Sequence, residues 1–141
     1  MSLNGASMHE VGASAPFRAF HAMPVDGPEG ELHPHDYRVE VVAQRDELDQ
    51  HGMVVDLDVL RAAVAEVLEP VRDADLEPLR PPEVDGVTVE VLARWIHASL
   101  AERLEPAGVQ VLHVRVWESP TEFAGYRSEL GSASSRGVTA A

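Results

Sequence analysis

Strand-like alternation near both ends of the chain and helical spacing in its middle constrain the fold more than any other feature. Residues 37–43 (Tyr-Arg-Val-Glu-Val-Val-Ala) alternate with a period of two, and so do residues 109–118. Successive side chains of a strand leave on opposite faces, so each run presents one face to a core. In 109–118 the alternation sets Val109, Val111, His113, Arg115 and Trp117 on one face and Leu112, Val114, Val116 and Glu118 on the other. Between the runs, Leu57, Leu60, Val64, Val67 and Leu68 recur at helical spacing, with Asp56 or Asp58 available as a cap and an end expected near Pro70. A second helical set, Val91, Leu92, Trp95, Ile96, Leu100 and Leu104, follows the Pro-rich loop at 80–86. Short extended pieces at 17–22, 53–56 and 123–127 complete the reading. The expected order is ββααββ, an α+β domain whose four-stranded antiparallel sheet carries two helices on one face.

A chain of 141 residues accommodates one compact domain with a core. That domain is expected over 17–127. Residues 1–16 read as a flexible N-terminal segment or a cloning remnant, and 128–141 as a flexible Ser/Ala/Gly-rich tail. The formal net charge of -13 repels a phosphate backbone or an anionic bilayer, so neither nucleic acid nor membrane is an expected partner. No apolar run long enough for a span and no basic-then-apolar start appears, and the expected location is cytoplasmic. The absence of cysteine excludes disulfides, thiolate metal ligands and thiol nucleophiles.

Metal-ligating residues show one pattern. His33 and His35 stand two apart at the start of a strand, and side chains at that spacing share a face. His21 closes the preceding strand, and antiparallel pairing of 17–22 with 37–43 brings all three imidazoles to one end of the sheet. Three neutral imidazoles with an open position form the ligand set of a catalytic zinc. Two exposed polar residues near a turn are the alternative reading of His-x-His. The remaining histidines, His9, His51, His97 and His113, share no such spacing and read as structural or surface residues.

The order of motifs resembles the 6-pyruvoyltetrahydropterin and 6-carboxytetrahydropterin synthase family across most of 17–126. The matching words are Phe17-x-Ala19-x-His21, Leu32-His33-x-His35-x-Tyr37, Gly52-Met53-Val54-x-Asp56, Thr88-x-Glu90 with Leu92-Ala93-x-Trp95-Ile96, and Val116-x-Glu118. The resemblance implies the tunnel fold, with subunits closing into a ring-like homo-oligomer, a hexamer, and pterin sites lying between subunits. It also implies zinc on His21, His33 and His35, a pterin-like ligand anchored by Glu118, and further contacts from Thr88 and Glu90. A carboxylate suits that anchor because it accepts two parallel N–H bonds from a 2-amino-4-oxo ring. Without the resemblance, Glu118 reads as an exposed strand-end carboxylate and Glu90 as a first-turn residue favoured by the helix dipole.

The chain departs from the family at three places. The proton-abstracting cysteine of the family falls on Glu29, a weaker base than a thiolate, although some branches carry glutamate there. The Asp-His word falls on Asp75-Leu76, which leaves Asp75 without the histidine that it would orient; an alternative register on Asp73-Ala74 also lacks one. The connection from His21 to His33 is short, and Pro34 restricts the residue before it, which sets against His33 turning inward. The expected function is therefore a homologue that binds a pterin-like ligand at a subunit interface, with the family's usual turnover reduced. The alternative is a zinc-dependent pterin lyase acting on dihydroneopterin triphosphate, with Glu29, assisted by Asp75, in the catalytic role. A ring kept only as a scaffold is a third, weaker reading.

Overall fold

A computed structural model of the chain describes residues 7–131. Four strands, β1 (His9–His21), β2 (His33–Arg45), β3 (Val111–Ser119) and β4 (Glu122–Glu129), form one antiparallel sheet in the order β1-β2-β3-β4. Two helices, α1 (Leu57–Leu68) and α2 (Val89–Leu104), lie between β2 and β3, so the ββααββ order is met. Asp56 caps α1, its carboxylate accepting from the Asp58 amide, and Thr88 caps α2, its hydroxyl accepting from the Val91 amide at 3.1 Å.

The alternation decides which face is covered. Phe17, Ala19, Tyr37, Val39, Val41, Ala43, Leu112, Val114 and Val116 are all buried, and α1 packs on β1 while α2 packs on β3 and β4. Leu60, Val64, Val67 and Leu68 of α1 meet Leu92, Ile96, Leu100 and Leu104 of α2 in the same core. Arg18, Arg38 and Arg115 leave on the other face, which no helix among the described residues covers. Among the described residues no helix is long and apolar enough to cross a membrane.

Boundaries differ from the sequence reading in an instructive way. β1 begins at His9, so residues 9–16 belong to the sheet and not to a flexible segment, and β4 runs to Glu129. Gly12, Ala13, Ser14 and Ala15 have little intrinsic strand preference; pairing with Val39 to Val42 makes them a strand. Residues 53–56 form no strand: Met53 closes a turn on Asp49, and Gly52 adopts φ 77 there. Residues 1–6 and 132–141, which include most of the expected tail, lie outside the described residues.

The outer edge of β1 is half covered by a strap. The Asp73 amide donates to the Arg18 carbonyl at 2.6 Å, the Phe20 amide to Ala74 at 2.8 Å, and the Leu76 amide to Phe20 at 2.8 Å. Leu76 anchors this strap in the core at 1% exposure.

Candidate metal centre

The core-facing stripe of β1 and β2 changes from apolar side chains to imidazoles at its last positions. Phe17 and Ala19 lead to His21, and Val39 and Tyr37 lead back to His35 and His33, with His21 directly opposite His33 in the ladder. The three rings stand edge to face, with centroids 4.5 Å apart for His21 and His33, 4.9 Å for His21 and His35, and 5.0 Å for His33 and His35. Glu29 joins them: one ligand atom from each of His21, Glu29, His33 and His35 lies within 4.8 Å of all the others.

Backbone carbonyls set the tautomers. His21 Nδ1 donates to the Val87 carbonyl at 2.9 Å, and His33 Nδ1 donates to the Glu31 carbonyl at 2.7 Å. A carbonyl only accepts, so each Nδ1 carries a hydrogen, and in the neutral ring this leaves the lone pair on Nε2. Both are shielded from solvent and without a hydrogen-bond partner among the described residues, although Glu29 Oε1 comes within 3.2 Å of His33 Nε2. Converging lone pairs with no donor cost free energy to bury, and a cation removes that cost. The residues therefore fit a divalent metal with imidazole affinity, with the Val87 and Glu31 carbonyls as the outer partners that orient its ligands.

Pro34 does not turn His33 away. Proline pushes the preceding residue toward extended backbone, which is the conformation that β2 requires. The amide and carbonyl of Phe20, opposite Pro34, both bond the strap, so Pro34 sits in a non-hydrogen-bonded pair and costs the ladder no donor.

Glu29 reaches the cluster through a tight turn. Pro28–Gly30 is a single 3-10 turn entered at Gly27 with φ 93, and the Met23 amide closes it on the Glu29 carbonyl at 2.8 Å. A Cβ at Gly30 would stand 2.0 Å from the Val25 carbonyl oxygen, so only glycine fits. Gly86, whose Cβ would meet Met23 and Pro24 at 3.0 and 3.1 Å, lets the loop before α2 close on this turn and deliver the Val87 carbonyl.

The other expected residues are placed unevenly. Glu118, half-buried at the end of β3, raises the pKa of both Tyr37 and His35 electrostatically, which puts its charge on the imidazole side of the sheet. Burial is the larger cause of the Tyr37 hydroxyl's upward shift. His35 is held below the ordinary histidine range, first by burial and next by His21, against the opposing pull of Glu118. Thr88 spends its hydroxyl on the α2 cap, next to the Val87 carbonyl. Glu90 is exposed on the first turn of α2. Asp75 is exposed on the strap and accepts from the Glu77 amide at 2.9 Å, outside the four-residue cluster. Leu76, in the position of the expected histidine, points into the core.

Sequence reasoning missed the two orienting carbonyls, which have no side-chain signature, and Tyr37, whose ring lies 5.5 Å behind that of His35. The i, i+4 spacing of Glu29 and His33 was the available signal that Glu29 belongs to the cluster itself.

The arrangement has relatives. The 6-pyruvoyl tetrahydropterin synthase family matches residues 10–129. A 6-carboxy-5,6,7,8-tetrahydropterin synthase of Aquifex aeolicus is 30% identical over 121 residues, covering 70% of this chain and 75% of the relative. The 6-pyruvoyl tetrahydropterin synthase of Caenorhabditis elegans shares the fold at a TM-score of 0.71 and 19% identity, covering 87% of this chain and 97% of the other. A Plasmodium vivax enzyme of that name, solved with a glutamate described as a catalytic residue replaced by cysteine, has a TM-score of 0.71 at 18% identity, covering 88% and 99%. Fold, motif order and sequence together show that this chain belongs to the 6-pyruvoyl tetrahydropterin synthase family.

Proposed function

We propose that this chain binds a reduced pterin beside a zinc site made by His21, His33 and His35, at an interface between copies, with the family's usual turnover reduced. The observation that carries the reading is the convergence of the solvent-shielded Nε2 atoms of His21 and His33 with His35 and Glu29 in one cluster. Zinc on these residues would supply Lewis-acid polarisation of a side-chain hydroxyl or carbonyl. Glu118 takes the 2-amino-4-oxo edge of the ring through two charge-assisted hydrogen bonds, and Thr88 and Glu90 supply further contacts. The reduction in turnover follows from Leu76, which has no proton to exchange and is packed in the core where an Asp-His relay would need an imidazole.

A second reading, a lyase with Glu29 as general base and Asp75 in support, is favoured by one observation: the Glu29 carboxylate reaches the imidazole cluster. There it takes the proton of a side-chain hydroxyl as that carbinol becomes a carbonyl and the adjacent carbon–carbon bond breaks, and it gives the proton to the carbon that leaves with the electron pair. The catalytic glutamate named for the P. vivax enzyme supports that assignment.

The test is zinc content per chain together with calorimetric titration of a reduced pterin. Near-stoichiometric zinc, with affinity falling on the order of 100-fold in Glu118→Ala as two charge-assisted bonds are lost, is the expected result. Unchanged pterin affinity in Glu118→Ala would reject the anchor. Turnover in wild type that disappears in Glu29→Gln, with zinc and pterin binding kept, would select the lyase.

A further inference from the structure

We infer that Glu29 is itself a ligand of the ion held by His21, His33 and His35, and that it closes the fourth position in the ligand-free chain. The inference rests on the zinc part of the reading above and concerns how the site stands before any pterin enters it.

Three neutral imidazoles leave a divalent ion with its whole charge and with one position of a tetrahedral shell open. Among the described residues, Glu29 is the carboxylate whose oxygen joins the three imidazole nitrogens in a single group, all within 4.8 Å of one another. Bonds of about 2.0–2.1 Å to a tetrahedral zinc set neighbouring ligand atoms about 3.3 Å apart. Glu29 Oε1 stands 3.2 Å from His33 Nε2, the length of one such edge. A hydrogen bond accounts for that distance only if His33 is an imidazolium, because its Nδ1 already donates to the Glu31 carbonyl. An ion needs no such proton, and the carboxylate offsets part of its charge.

The backbone aims this carboxylate at the imidazoles. In the turn, the Gly30 amide donates to the Gly27 carbonyl at 3.0 Å and the Glu31 amide to the Pro28 carbonyl at 3.1 Å, with Glu29 between them. The side chain arrives from the solvent side. His21 is 6% exposed, whereas the Glu29 side chain is 64% exposed, so imidazoles form the inner part of the group and the carboxylate the outer. Glu118 has a different place: it acts electrostatically on His35 and Tyr37 and is not one of the four. A ligand on the outer side can swing into water about its own side-chain bonds while the turn keeps its backbone. This bears on the lyase reading, since a carboxylate held by a cation is a poor proton acceptor. Glu29 serves as a base only after leaving the ion.

The experiment measures zinc affinity by competition with a chromophoric chelator, and the visible absorption of the cobalt(II) form, on the full chain without any pterin. Wild type is compared with Glu29→Gln, which removes the charge, and Glu29→Asp, which keeps the charge but shortens the reach by one methylene. Asp26→Asn removes an equal charge from the same exposed loop. Zinc is expected to bind at least about tenfold more weakly in both Glu29 variants, with an altered cobalt spectrum in each and wild-type behaviour in Asp26→Asn. Wild-type affinity and spectrum in Glu29→Asp would show that the carboxylate acts through its charge alone and overturn the inference. Wild-type values in both Glu29 variants would overturn it as well, and in either case the three-histidine zinc site and the pterin reading stand. Failure of wild type to take up zinc removes the zinc reading and the inference together.

Discussion

His97 is buried on α2, its Nε2 donating to the Leu112 carbonyl at 3.1 Å and lying 3.3 Å from the Ser128 hydroxyl, with its ring edge-on to Tyr126 at 4.7 Å. Burial holds its pKa below the ordinary value, the Leu112 carbonyl opposes that, and His113 reinforces it. The unfolded chain therefore takes up this proton at a higher pH than the folded chain does. Above the unfolded pKa of about 6.5 the ring is neutral in both states and contributes no pH dependence. As pH falls below that value the unfolded chain protonates first, so stability declines until the pH passes the folded pKa. Thermal melts from pH 7 down to pH 5 should show a falling midpoint, and His97→Gln, which keeps a donor for Leu112, should flatten the fall. An equally steep fall in the variant would remove His97 from the account. The same burial logic explains what could be read at this scale. The spacing of His21, His33 and His35 was visible because strand geometry maps two-residue spacing onto one face, whereas His97 had no partner in the sequence that marked it as buried.

At the scale of elements, the turn Pro28–Gly30 holds more of the site than its length suggests. Its one glycine lies against the Val25 carbonyl, so Gly30→Ala must displace that backbone and with it the Glu29 carboxylate. The expected outcome is a small loss of stability, about 1–2 kcal/mol, and a changed cobalt(II) absorption spectrum as Glu29 leaves the cluster. An unchanged spectrum would show that Glu29 does not sense a bound ion. The helices and the two central strands were legible because their apolar periods are strong. The first half of β1 was not, because Gly12 to Ala15 become a strand only when β2 supplies the ladder. Pro34 read as a disturbance for a related reason: whether a proline harms a strand depends on which partner its missing amide faces, and only the register of Phe20 against Pro34 reveals that.

At the scale of the whole molecule, one core joins sheet and helices, and the imidazole cluster is the continuation of its β1 and β2 stripe. Leu100, fully buried on α2, sits in that core. Leu100→Ala should cost about 2–5 kcal/mol in chemical denaturation. Zinc content should stay intact below the transition, because the ligands come from strands; early loss of zinc would show that the cluster depends on the helix layer. By itself the sequence determined the element order, the alternation of faces along the strands and the sharing of one face by the three histidines, since backbone periodicity is local and each is a consequence of it. Only the tertiary structure decided that the Val87 and Glu31 carbonyls orient the imidazoles, that Glu29 joins them and that Leu76 is a core anchor. Those relations depend on loops closing on one another across dozens of residues, and no local period encodes them.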